Sequence, residues 1–284
     1  MSRIAIMTDS NSGIMPAEAS NYGIHVLPMP IIIDGTTYFE GIDITVEEFY
    51  QKQTSGSVIT TSQPSPGDVT GMWDRLLQTH DEIVFIPMSS GLSNTCQTAL
   101  LLADEEPYKD RVFVADNHRI SVTQALSVLD AKSLAEKGLT AREIRDILEE
   151  EAMDATIYIA VDTLEYLKKG GRITAAAATL GTILKIKPVL TIQGDKLDSF
   201  AKARGMKSAF RVMVEAVKAD ITSRLSHLRE QGLLKVGIAN TMMDPDKLEE
   251  FKEEMKKNFP DMELVYFPLT MSIGTHVGPG GLGI

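Results

Sequence analysis

Four short apolar runs, Arg3 to Met7, Ile83 to Pro87, Val112 to Ala115 and Ile157 to Val161, recur through the first half of the sequence with segments of helical period between them. A parallel pair of strands needs a crossover of a dozen residues or more, and an amphipathic helix supplies it while covering a face of the sheet. The pattern therefore predicts an N-terminal α/β domain built on a doubly wound parallel sheet. Helix starts are marked by side chains that can satisfy the free N–H groups of a first turn. Thr140-Ala-Arg-Glu143 reads as a capping box, Asp162-Thr-Leu-Glu165 as its Asp analogue, and Asp244-Pro245 as a cap followed by a first-turn proline. Gly138 closes the long helix that precedes Thr140.

Beyond about residue 160 the period changes. Ile186 to Ile192, the turn Gln193-Gly194-Asp195 and Lys196 to Lys202 predict an antiparallel hairpin. A long helix over about Lys207 to Glu230, a strand at Lys235 to Asn240, a helix over Asp244 to Asn258 and a strand at Glu263 to Phe267 complete a mixed α+β domain. A chain of 284 residues approaches the size at which single cores stop growing. The expected division is 1–160 and 161–284, with a soft boundary.

The 39 acidic residues outnumber the 28 basic ones, for a net charge of −11, which repels phosphate backbones and anionic membranes; nucleic acid is not an expected partner. No apolar stretch approaches the roughly 18 residues of a membrane span, so no stable membrane insertion is expected and the expected location is cytoplasmic. A single cysteine, Cys96, has no partner for an internal disulfide, and His25, His80, His118, His227 and His276 lack zinc spacing, so no structural metal is expected.

In open α/β sheets the ligand crevice lies beyond the carboxyl ends of the strands. Here those ends are rich in hydroxyls: Thr8-Asp-Ser-Asn-Ser-Gly13 after the first run, Met88-Ser-Ser-Gly-Leu-Ser-Asn-Thr95 after the second, and Thr60-Thr-Ser-Gln-Pro-Ser-Pro-Gly67 before a helix between them. Hydroxyl donors together with the N–H groups of a helix start suit a carboxylate or a phosphate. Ser and Thr are equally common as caps and turn formers, and that reading stays open for each cluster.

Three enzyme signatures compete. Gly91-Leu-Ser93-Asn-Thr95 imitates the nucleophile elbow G-x-S-x-G, and His276 suits the hydrolase chain order, but Thr95 stands where a small residue is required; a serine hydrolase using Ser93 is the alternative reading. Gly278-Pro-Gly-Gly-Leu-Gly283 fits G-x-G-x-x-G formally, without a helix after it. No G-x-x-x-x-G-K-[ST] occurs, so another protein must supply the nucleotide for any phosphoryl chemistry. In Leu164-Glu-Tyr-Leu-Lys-Lys-Gly-Gly-Arg-Ile-Thr174 a short helix ends in two glycines before Arg172, which is either an anion clamp or an ordinary cation near a helix end. The 14 methionines, several beside strand ends, suit a flexible alkyl chain and serve equally as core filler.

Taken in order, Thr8-Asp-Ser-Asn-Ser12, Thr61-Ser-Gln-Pro-Ser65, Ser89-Ser-Gly-Leu-Ser-Asn-Thr95, Leu164-Glu-Tyr-Leu-Lys-Lys-Gly-Gly-Arg172, Leu184-Lys-Ile-Lys-Pro188 and His276-Val-Gly-Pro-Gly280 resemble the DegV family, which includes the fatty-acid-binding subunits of bacterial fatty-acid kinase. The resemblance implies a DegV-like two-domain fold with a long-chain fatty acid buried between the domains and no other cofactor. It implies that the carboxylate is bound by Thr61 and Ser93, with Ser62 and the N–H groups at Asn94 and Thr95 as neighbours. It further implies a dihydroxyacetone-kinase-like ATP-binding partner that phosphorylates the carboxylate, giving an acyl phosphate for phospholipid synthesis. Arg172, Arg204 and His276 match the family's basic residues near the carboxylate and the docking face. The sequence departs from the family's usual pattern at Asn94, where Gly is common, at Cys96, where an aromatic is common, and at Asp116-Asn-His118 and Arg204-Gly205. A binding protein for another small acid is the remaining alternative.

Overall fold

The computed structural model describes residues 2–179, 186–194 and 196–284. The chain divides into two compact units, Met1–Met153 and Asp154–Ile284. The first contains β1 (Ile4–Asp9), β2 (His25–Leu27), β3 (Pro30–Ile33), β4 (Thr36–Phe39), α1 (Val46–Thr54), β5 (Ile59–Thr61), α2 (Pro66–Leu76), β6 (Glu82–Ile86), α3 (Thr95–Ala103), β7 (Val112–Val114), α4 (Val122–Glu136) and α5 (Ala141–Glu150).

Its main sheet is parallel, in the order β2-β1-β6-β7. Ile83, Val84, Phe85 and Ile86 are all buried, as a central parallel strand requires when both of its faces are covered. Side chains alternate along a strand. Ala5, Met7, Phe85 and Val112 meet Val69 and Trp73 of α2 and Cys96 and Ala99 of α3 in one cluster. Gln124 of α4 reaches Thr8, and Arg142 and Arg145 of α5 lie over the Phe113 ring, so α4 and α5 cover the opposite face. The Thr140–Glu143 capping box forms as the spacing predicts, and Thr45–Glu48 and Ser65–Asp68 start α1 and α2 in the same way.

A second sheet, antiparallel in the order β4-β3-β5, is not anticipated by the sequence reading. Its signal is Asp34-Gly35 between Ile31-Ile-Ile33 and Thr36-Thr-Tyr-Phe39. Both turn residues have positive φ, at 49° and 85°, as a two-residue hairpin turn twisted to match its strands demands.

The second unit contains β8 (Ile157–Ala160), α6 (Glu165–Gly170), α7 (Ala175–Ala178), β9 (Ile186–Ile192), β10 (Asp198–Arg204), α8 (Met206–Thr222), α9 (Ser226–Glu230), β11 (Lys235–Asn240), α10 (Pro245–Asn258), β12 (Glu263–Tyr266), α11 (Met271–Val277) and β13 (Leu282–Gly283). They form a mixed sheet in the order β10-β9-β8-β13-β11-β12. The expected hairpin is present as β9 and β10; Asp195 of its turn and Leu184 and Lys185 of the Leu184–Pro188 motif lie outside the described residues. Phe210, Met213, Val214 and Val217 of α8 pack with Tyr158, Val189, Ile238, Leu282 and Phe251 in the core of this unit.

Three expectations are corrected here. The run at 157–161 does not extend the first sheet: β8 pairs antiparallel with β9 and β13, because its neighbours in space come from later in the chain. The helix expected over 207–230 breaks at Ser223, where the Thr222 and Ser223 hydroxyls donate to the carbonyls of Lys218 and Ala219 and compete with the helical ladder. Asp162 does not cap α6, whose cap residue is Leu164; its carboxylate instead accepts from the Lys187 ammonium at 2.7 Å. Gly278–Gly283 turns the chain into β13, which fills the gap between β8 and β11.

Leu282, fully buried at the centre of that sheet, carries a direct test of its importance. Leu282→Ala is expected to destabilise the protein by about 2–5 kcal/mol, measured as a lower urea midpoint, the range of a core truncation whose cavity does not collapse.

Candidate functional site

At the carboxyl edge of the parallel sheet the loops after β1, β6 and β7 are joined by main-chain bonds: Ser89 donates to the Arg119 carbonyl at 2.9 Å and Ser121 to the Asn11 carbonyl at 3.0 Å. Between them lies Asp9, completely buried. One carboxylate oxygen accepts from the Met88 N–H at 2.8 Å, the other from the Asn11 N–H at 3.0 Å and from the Gln124 amide at 3.2 Å. Burial raises the Asp9 pKa, and the bonds donated to it act in the opposite sense.

The other polar groups of this first cluster are also engaged inside the unit. Thr8 donates to the Ile86 carbonyl at 2.7 Å; Ser10 donates to the buried Glu40 carboxylate and accepts from the Met29 N–H; Ser12 donates to the Asp9 carbonyl. The reading of three hydroxyl clusters along one sheet edge as a shared anion site is thus corrected. The first cluster is an internal network, and Thr61 ends β5 in the small antiparallel sheet. Gln63 nevertheless joins the second cluster to the helix of the third, accepting from the Thr98 hydroxyl of α3 at 3.2 Å.

The third cluster enters α3. The Ser93 and Thr95 hydroxyls are 2.9 Å apart, and Ser93 also accepts from the Thr95 N–H at 3.3 Å. Ser93 is half-buried, Thr95 buried and Asn94 exposed; Thr61 is half-buried and Ser62 exposed. The first turn of α3 holds no acidic residue, leaving its N–H groups without a carboxylate of their own segment. Ser93 does not have the positive φ that marks strained non-glycine positions in this chain, and its bonded partner is a threonine hydroxyl rather than an imidazole; the nucleophile elbow is not formed. Burial, then Asp116, push the Cys96 thiol upward, so it is a packing residue rather than a thiolate.

In the second unit the glycines of two motifs interlock. A Cβ on Gly170 would lie 2.0 Å from Nδ1 of His276, and one on Gly278 would lie 2.3 Å from Cδ2 of Tyr166. The imidazole of α11 therefore rests on the bare end of α6, and the phenol ring of α6 rests on the bare residue that follows α11. Arg172 folds back and donates to the Gly170 carbonyl at 2.6 Å. Burial, and then the neighbouring Arg172 charge, hold His276 down to a pKa of about 4, so it is neutral at pH 7.

His276 and Arg172 are thus adjacent. Arg204 is apart from them: the Arg172 carbonyl accepts from Leu197 before β10, and exposed Arg204 ends that strand, roughly 20 Å along it. Among the described residues no cluster of three or more His, Cys, Asp or Glu could hold a metal ion, and no helix is long and apolar enough to cross a membrane.

The class defined by this fold is a two-unit α/β protein with hydroxyl-rich loops, and the comparisons give its family. The sequence profile described as "Uncharacterised protein, DegV family" matches residues 3–284. A DegV domain-containing protein of Caldanaerobacter subterraneus is 33% identical over 291 residues, covering 100% of this chain and 98% of its own length. Two solved structures each align with a TM-score of 0.84. One, of a DegV family protein from Thermus thermophilus, concerns fatty-acid binding; at 32% identity it covers 99% of this chain and 98% of that one. The other is DegV from Bacillus subtilis, a fatty acid binding protein, at 28% identity with 100% and 98% coverage. The chain belongs to the DegV family.

The neutral His276 makes stability depend on pH. Its folded pKa, about 4, lies below the unfolded value of about 6.5, so its contribution is fully present above pH 6.5 and is lost as pH falls toward 4. The loss amounts to at most about 3 kcal/mol. Urea unfolding of the wild type and of His276→Asn at pH 7, 5.5 and 4.5 should show a shallower acid decline in the variant.

Proposed function

We propose that this protein binds a long-chain fatty acid and presents its carboxylate to a separate ATP-dependent kinase. The observation that carries the reading is the whole-chain likeness to DegV structures described as fatty-acid-binding. In this reading the head group meets Thr61, Ser93, Thr95 and the first N–H groups of α3, with Ser62 and Asn94 at the rim. Hydroxyls on a helix start without acidic residues offer donors to a carboxylate in a chain whose net charge of −11 otherwise repels anions.

The kinase role rests on complementarity. This chain has no Walker-type loop, so ATP must be held by a partner, for which a dihydroxyacetone-kinase-like protein is the proposed class. A carboxylate oxygen attacks the γ-phosphorus of ATP, the bond to the bridging oxygen breaks, and ADP leaves with that electron pair. The acyl phosphate formed carries more negative charge than the acid. Arg172 supplies a fixed cation and neutral His276 a hydrogen-bonding group without added repulsion, while exposed Arg204 serves the docking face.

Native mass spectrometry of protein purified from cells should retain a C14 to C18 acid. Thr61→Ala and Ser93→Ala should each weaken affinity about ten- to a hundred-fold in displacement of a fluorescent fatty acid, since each removes a hydrogen bond to a charged group. Unchanged affinity in both variants would exclude this head-group placement. Arg204→Ala and His276→Asn should retain binding but lower acyl-phosphate output with the kinase. Formation of acyl phosphate by this chain without the kinase would overturn the subunit reading.

A further inference from the structure

We propose that Gly170 is a positioning residue whose missing side chain and carbonyl together set the geometry of the His276–Arg172 pair. Its consequence for chemistry rests on the function proposed above. Three observations converge on this one residue. Its Cα faces the imidazole so closely that a methyl group would overlap Nδ1 at 2.0 Å, Cε1 at 2.8 Å and Cγ at 3.1 Å. Such overlap is far inside van der Waals contact, so any side chain at 170 must displace the ring. Its carbonyl accepts from the Arg172 guanidinium at 2.6 Å, which draws the cation back toward the same ring. Finally, the reverse contact, Tyr166 on Gly278, keeps α11 from sliding along α6 to relieve the first.

The two adjacent glycines do different things. Gly171 closes α6 in the left-handed region at φ 68° and has nothing within 4 Å of a hypothetical Cβ. Gly170 is the last helical residue and has no such backbone requirement. Alanine at 171 therefore strains the backbone and spares the ring, whereas alanine at 170 suits the helix and strikes the ring. This asymmetry separates positioning from damage to the fold.

The test is His276 titration by NMR in the full chain, with urea unfolding alongside. Gly170→Ala should move the imidazole off its seat and away from Arg172, so its pKa rises from about 4 toward the free value near 6.5. Gly171→Ala should lower the midpoint and leave the titration where it is. In the reconstituted kinase assay Gly170→Ala should cut acyl-phosphate formation by up to about a hundred-fold while fatty-acid affinity is kept, the scale expected of a misplacement near 1 Å. A His276 titration unmoved in Gly170→Ala, or moved equally in Gly171→Ala, overturns the positioning role. A wild-type protein that supports no acyl-phosphate formation overturns the proposed function instead, and the titration still decides the role of Gly170.

Discussion

The second unit depends on where its last residues go. Leu282 and Gly283 occupy the space between β8 and β11, and Ile284 exchanges two 2.9 Å main-chain bonds with Tyr158. Without that strand, β8 and β11 would each present a row of unpaired N–H and C=O groups in the middle of the sheet, a large penalty for buried backbone. Filling the gap brings Gly278 to Gly281 across the carboxyl ends of β8 and β11. Gly280 donates to the Met242 carbonyl, Gly281 to the Thr241 hydroxyl, and a Cβ on Gly281 would lie 2.4 Å from Val277. α11 is thereby held against α6, and His276 meets Gly170. The electrostatic state of the imidazole follows from strand pairing.

The first unit has a comparable centre in Asp9. A carboxylate with no exposed surface is costly unless donors surround it, and here the donors come from three different segments, Asn11, Met88 and Gln124. The carboxyl group ties the loop after β1 to the loop after β6 and to α4. Ser89, Ser93 and Thr95 follow on that same loop, so the stretch that presents Ser93 and Thr95 is anchored at its start by Met88 on Asp9.

Much of this was legible residue by residue. Thr140–Glu143, Asp244-Pro245 and the hairpin of β9 and β10 could be read because they are settled by neighbours a few positions apart. Asp34-Gly35 is equally local and carries a hairpin signal in its two positive-φ turn residues. Asp162 and the 207–230 helix went the other way: a cap signal lost to Lys187, which is 25 residues distant, and a helical period was interrupted at Ser223 by hydroxyls that form competing bonds.

The sequence by itself determined many of the elements, the hydroxyl-rich loops and the family, because local propensity, period and motif spacing are properties of the linear chain. Only the tertiary structure decided which hydroxyls are engaged inside the unit, that 157–160 belongs with strands from the end of the chain, and that Gly170 is the seat of His276. Those facts are contacts between residues far apart in sequence. They are chosen by pairing free strand edges, filling close-packed space and satisfying buried polar groups, conditions that exist only once the segments have met.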